Sequence, residues 1–159
     1  MGNTLWRSGL MSAILFFLAT SGAFRADSPG DAKKTLWDRL GGEKNVTKVV
    51  ADFQKAAGAD PKVNASRDGK FKLDEKGKKE RSRQFVEFIS SVTGGPLKYA
   101  GRSMKDSHKG LGITDAEFDA AAAHFKAALE KNGVAAADVA EVLKIWNGTR
   151  KDIVEVKKK

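Results

Sequence analysis

Apolar residues recur along this chain in steps of three and four, and no stretch alternates as a strand would, so the sequence is restricted to packed helices. Val46, Val49, Val50, Phe53 and Ala57 lay one stripe along a helix. Residues 76–92 begin with a basic half and then place Phe85, Phe88, Ile89 and Val92 on one face, which predicts an amphipathic helix entering the core at its C-terminal half. Thr114 and Glu117 have the spacing of a capping box, where hydroxyl and carboxylate satisfy the backbone donors that a first helical turn leaves free. Phe118, Ala121, Ala122, Phe125 and Leu129 form the stripe of the helix that follows, and Asn132 and Gly133 are residue types that stop it. A last helix turns Val139, Val142, Leu143 and Trp146 inward, with Asn147 and Gly148 a place to bend or break. Gly41-Gly42 and Gly94-Gly95-Pro96 mark sharp changes of direction, and residues 61–73 read as a polar loop with at most one helical turn. The expected fold class is all-α.

At 159 residues the chain suits one domain with one core. Cysteine is absent, which excludes disulfides, thiolate metal sites and cysteine nucleophiles. His108 and His124 are the only histidines, so a three-His zinc site is impossible, whereas a single axial ligand to a prosthetic iron stays open. The formal charge is +9, but Lys and Arg are spread among Asp and Glu, a solvated surface rather than a nucleic-acid footprint. Residues 10–19 are almost wholly apolar, follow Arg7 and precede the small residues Ser21, Gly22 and Ala23, the layout of a signal peptide. The run is about half of the roughly 20 residues that a stable membrane anchor needs. The expected organisation is a signal peptide over 1–23 cleaved after Ala23 (Ala26 the alternative), a leader over 24–34, a folded domain over 35–154 and a basic tail over 155–159, with a periplasmic or secreted destination.

A lone His in an all-α protein is more often a packed or surface residue than a ligand. The surroundings of His108 point the other way. In the run Met104-Lys105-Asp106-Ser107-His108-Lys109-Gly110-Leu111-Gly112-Ile113-Thr114, a His precedes two glycines just ahead of a capped helix. Such a turn can hold an imidazole at the mouth of a core while a flat ligand approaches the backbone. His124 lies beside the stripe of Ala121 and Phe125 and reads as structural or exposed.

These motifs, in this order, resemble the group I truncated haemoglobins. The resemblance runs over residues 35–154 through Leu36-Trp37-Asp38-Arg39-Leu40-Gly41-Gly42, Val49-Val50-Ala51-Asp52-Phe53, Phe88, Gly94-Gly95-Pro96, Tyr99-Ala100-Gly101, Met104-Lys105, the His108 turn, Phe118 and His124. It implies a two-over-two arrangement of helices around haem b, with His108 the proximal iron ligand. It further implies an apolar slot lined by Phe53, Phe88, Met104, Ile113 and Phe118, with Tyr99 beside it and Phe71 wedged against the porphyrin. Lys98, Arg102 and Arg81 become candidate partners of the propionates. In many members a Tyr after the residue matched by Phe53, aided by a distal-helix Gln, donates to bound oxygen. Here those positions hold Gln54 and Phe85. Gln54 is therefore the expected donor and Phe85 the group limiting ligand access.

The implied function is reversible binding of oxygen, nitric oxide or carbon monoxide, and nitric oxide dioxygenation with an external reductase leaves the question of enzymatic activity open. Two alternatives stand beside it. One is a peroxidase-type haem enzyme, for which no distal His with Arg is seen. The other is a haem-free helical binding module using the basic surface.

Overall fold

The computed structural model describes residues 34–156, so the expected signal peptide, nearly all of the leader and Lys157 to Lys159 lie outside the described residues. The described residues form seven helices: α1 (Leu36–Arg39), α2 (Gly42–Ala59), α3 (Glu75–Thr93), α4 (Met104–His108), α5 (Asp115–Lys131), α6 (Ala136–Gly148) and α7 (Arg150–Ile153). Their only β feature is one isolated parallel bridge, Thr114 to Val156. No described helix is long and apolar enough to cross a membrane.

The pair α2 and α3 lies on the pair α5 and α6, with α2 against α5 as the main seam, which is the two-over-two stacking expected. Val46, Val49 and Val50 of α2 meet Val86 and Ile89 of α3, Phe125, Ala128 and Leu129 of α5, and Val139 and Val142 of α6 in one core. The short helix α1 closes the end of this core with Leu36, Trp37 and Leu40. A second, smaller core gathers Phe118, Ile153 and Val154, with Met104, Ile113 and Trp146 packed on it. Trp146 belongs to the margins of both and joins them.

Helix ends follow their sequence signals. Thr114 and Glu117 make the complete capping box of α5, and Asn132 caps its C-terminus before Gly133 turns left-handed at φ +76°. The last helix does break where Asn147-Gly148 allowed it, and Thr149 separates α6 from α7. Residues 61–73 contain turns and no helix.

The rotation of α3 departs from the sequence expectation. Its buried residues are Val86, Ile89, Ser90 and Thr93, whereas Phe85 and Phe88 are half-buried and Val92 is 40% exposed. Two small polar side chains can occupy the core because their hydroxyls are satisfied locally. Thr93 Oγ1 donates to the Ile89 carbonyl at 2.6 Å, and Ser90 Oγ accepts the Leu97 N–H at 2.9 Å. The aromatic rings of α3 thereby sit at the margin of the main core, Phe85 packed against it and Phe88 against Tyr99.

Gly94-Gly95 fixes the exit from α3. Gly94 takes the left-handed cap conformation at φ +83°, and both glycine amides donate to the Ser90 carbonyl, Gly95 at 2.7 Å. A Cβ on Gly95 would stand 2.2 Å from Ser90 Oγ and 2.7 Å from the Trp37 ring, both buried and unable to retreat. Gly95→Ala is therefore expected to cost about 3 kcal/mol and to lower Tm by roughly 10 °C in thermal unfolding. An unchanged Tm would show that the α1 to α3 contact yields.

Candidate functional site

His108 is the last residue of α4, a five-residue helix with no fully buried side chain. Ser103 starts α4 by accepting the Asp106 N–H at 3.0 Å, and its own hydroxyl donates to the Asp106 carboxylate at 2.6 Å. The His108 ring is part-buried, with Nδ1 2.8 Å from the Met104 carbonyl oxygen. A carbonyl only accepts, so Nδ1 carries the proton and a neutral ring keeps its lone pair on Nε2. Among the described residues no side chain or backbone group engages Nε2. Such a second hydrogen bond, fixing tautomer and ring orientation, is what a metal-ligating imidazole ordinarily has.

Aromatic rings line the space beside the main core. Phe53 packs edge-on to Phe85, Phe125 and Trp146 at centroid distances of 5.6, 5.5 and 5.7 Å, and Trp146 lies 4.9 Å from Phe125 and 5.6 Å from Phe118. Phe85, Phe88, Ile89, Phe125, Ile145 and Trp146 border a cavity of about 20 Å³. That is room for about one water. Trp146 Nε1 is a buried donor without a partner among the described residues. A larger open cleft of about 460 Å³ is lined by Asp115, Asn147, Gly148, Arg150, Lys151 and Val154, and Arg150 pairs with Asp115 on its wall.

A macrocycle does not fit the small cavity as it stands. What the structure offers a flat apolar group is the edge of α3, where Phe85 and Phe88 are half-buried and Val92 is exposed. Met104 and Ile113, half-buried against Phe118, flank His108 on both sides in sequence. No three His, Asp or Glu side chains gather among the described residues where they would hold a bare metal ion. The donor set therefore fits an iron carried in a porphyrin, which needs one protein ligand and an apolar wall.

The remaining residues expected at the site fall into two groups. Phe53, Phe85 and Phe118 are gathered into the aromatic cluster, while Phe88 stands edge-on to Tyr99 at 5.7 Å. Tyr99 folds over Gly101 and donates its hydroxyl proton to the Arg102 carbonyl at 2.7 Å, so it fastens the segment between α3 and α4. Phe71 stands 53% exposed and apart from the cluster. Lys98, Arg102 and Arg81 are exposed and have no acidic partner among the described residues. Nearby protein nevertheless desolvates the Arg81 head group enough to lower its pKa.

Gln54 is half-buried on α2, and its Oε1 accepts the Ser82 hydroxyl of α3 at 2.5 Å. The Lys78 carbonyl, 2.9 Å from the same hydroxyl, is a second acceptor for that one proton. With Oε1 engaged, the amide of Gln54 is left to donate. His124 is not part of the cluster, because its Nε2 is 2.7 Å from Asp60 Oδ2. That hydrogen bond, with the Lys62 amide, holds the Asp60 carboxyl below its ordinary pKa.

One pair that the sequence does not announce ties the loop before α3 to the start of α5. Arg67 Nη2 donates to both oxygens of Glu117, at 3.0 and 3.1 Å, with side chains only 15% and 14% exposed. Arg67 holds this contact from a left-handed backbone, φ +48°, uncommon for a non-glycine residue. Burial pushes the Glu117 pKa up, but hydrogen bonds from Thr114 and Arg67 outweigh it, and the net shift is below the ordinary 4.5. The stabilisation is then complete above the ordinary carboxylate range and is lost as pH falls through the lower folded-state value. Glu117→Ala removes cap and ion pair together and is expected to cost about 2–4 kcal/mol near neutrality. In urea unfolding the gap between parent and variant should hold down to about pH 5 and shrink below about pH 4; a gap independent of pH would contradict the assignment.

The family described as Bacterial-like globin matches residues 35–155. The chain is 31% identical over 121 residues to the group 1 truncated hemoglobin of Tetrahymena pyriformis, covering 76% of this chain and 95% of that one. It is 35% identical over 109 residues to the group 1 truncated hemoglobin of Mycolicibacterium paratuberculosis, covering 69% and 76%. Among solved structures, the Fe(III) form of the Tetrahymena pyriformis protein superposes with a TM-score of 0.67 at 30% identity, over 76% of this chain and 98% of that one. The 2/2 hemoglobin of a Synechococcus species, solved in the cyanomet state with covalently attached heme, gives a TM-score of 0.66 at 26% identity, over 77% and 100%.

Proposed function

This chain belongs to the bacterial-like globin family, with group 1 truncated haemoglobins as its relatives, and on that premise we propose that it holds haem b through His108 and binds diatomic gases. The observation that carries the assignment is the 2.8 Å hydrogen bond from His108 Nδ1 to the Met104 carbonyl, which leaves Nε2 as a free lone pair. When bound, haem supplies an iron with one coordination position open to oxygen, nitric oxide or carbon monoxide.

The chain's own part is to bind, orient and exclude water. Phe53, Phe85, Phe88 and Trp146 present apolar surface that keeps the local dielectric low. Arg81, Lys98 and Arg102, without acidic partners among the described residues, are the cations available to propionates. Ser82 holds the oxygen end of Gln54, so its amide protons are the ones presented to a ligand that carries partial negative charge. Phe85, in ring contact with Phe53, narrows the approach on the same side. Nitric oxide dioxygenation with electrons from a separate reductase would use the same pocket. We read Arg7, the apolar run over 10–19 and Ser21-Gly22-Ala23 as an export address, which puts the mature protein in the periplasm or outside the cell.

Protein expressed with haem available should show a Soret band that moves when the ferrous form is exposed to carbon monoxide; its absence would refute the reading. In stopped-flow measurements Gln54→Leu should release oxygen roughly tenfold faster. An unchanged rate would remove Gln54 from the pocket's chemistry.

A further inference from the structure

The end of the described chain returns to the turn that carries His108. Ile153 and Val154 pack on Phe118, with Met104 and Ile113 against them. Beyond these, the Glu155 and Val156 amides both donate to the Ile113 carbonyl, at 3.0 and 3.2 Å. The Glu155 carboxylate then closes over the turn. Its Oε1 accepts the Gly110 N–H at 2.7 Å and its Oε2 accepts the Gly112 N–H at 2.6 Å. Both glycines are left-handed, φ +79° and +62°, and successive amides turned in this way form a concavity suited to an anion.

The α4 segment needs such a restraint. A helix of five residues without a fully buried side chain is not stable by itself, and its main packing partner is α7, the helix that delivers Glu155. On its N-terminal side His108 is fixed by the Met104 carbonyl. On its C-terminal side the backbone turns at Gly110 and Gly112, where a Cβ would meet open space and a glycine turn is free to change its angles.

We propose that Glu155 is a positioning residue for His108: by bridging the amides of Gly110 and Gly112 it locks the turn after the ligand and so sets the tilt and reach of the imidazole. The proposal rests on the reading of His108 as the iron ligand. It also gives the C-terminal residues beyond α7 a role in holding the cofactor rather than in solubility alone.

The test uses the full, haem-loaded chain and Glu155→Gln, which keeps the size of the side chain but presents only one accepting oxygen and sets an N–H against the other amide. Glu155→Ala serves as the more drastic second variant. Three quantities are read: the iron–imidazole stretching band of the ferrous protein by resonance Raman, the rate of haem transfer to excess apomyoglobin, and hydrogen exchange of the Gly110 and Gly112 amides. Glu155→Gln should shift or broaden the band and speed haem loss roughly tenfold. Exchange of the two glycine amides should rise while amides in α2 and α5 keep their protection. If band and haem loss match the parent while the glycine amides lose protection, Glu155 merely pins the tail and the proposal is overturned. If the parent itself lacks an iron–imidazole band, the ligand reading falls first and takes the proposal with it.

Discussion

The hydrogen bond from His108 to the Met104 carbonyl decides what the molecule can do, because it places the ring proton on Nδ1 and the lone pair on Nε2. A five-residue helix cannot hold that arrangement alone. It is held from outside by Ser103 at the start of α4, by the small core of Phe118, Ile153 and Val154 that seats Met104 and Ile113, and by Glu155 across the glycine turn. Arg150 adds to that core by lying over the Phe118 ring, 4.3 Å from its centroid, while pairing with Asp115 and Asp119 of α5. The His108 turn is thus anchored to the C-terminal helices.

The second determinant is α3. Ser90 and Thr93 fill the core-facing turn by bonding to nearby backbone, and this lets the glycine pair at Gly94-Gly95 press against Thr35 and Trp37. Of the larger rings, Phe85 joins the aromatic cluster of Phe53, Phe125 and Trp146, and Phe88 stands against Tyr99. With Phe88 half-buried and Val92 exposed, α3 presents apolar surface to a further apolar body. Burying such surface stabilises by about 25 cal/mol per Å², so cofactor and fold support each other.

Much of this was legible in the order of residues. The steps of three and four found α2, α3, α5 and the body of α6, and the Thr114-Glu117 box and Asn132-Gly133 found both ends of α5. The helices α1, α4 and α7 were not legible as helices, since four or five residues are too few to display a period. The rotation of α3 was hidden for a different reason: hydropathy favours Phe85 and Phe88 over Ser90 and Thr93, and only the backbone bonds of the two hydroxyls reverse that order. The pairs Arg67 with Glu117 and Glu155 with the glycine amides join residues 43 to 50 positions apart, a separation at which one sequence carries no pairing signal. The turn around His108 was legible from its glycines and the capped helix that follows, but the carbonyl that orients the ring belongs to main chain and leaves no trace in side-chain identity.

The most direct measurement of the central claim removes the ligand and returns it as a free molecule. His108→Gly should lose the parent's ferrous absorption spectrum, and added imidazole should restore it by occupying the vacated position. A His108→Gly protein whose ferrous and carbon monoxide spectra equal the parent's, with no response to imidazole, would show that the iron is held elsewhere.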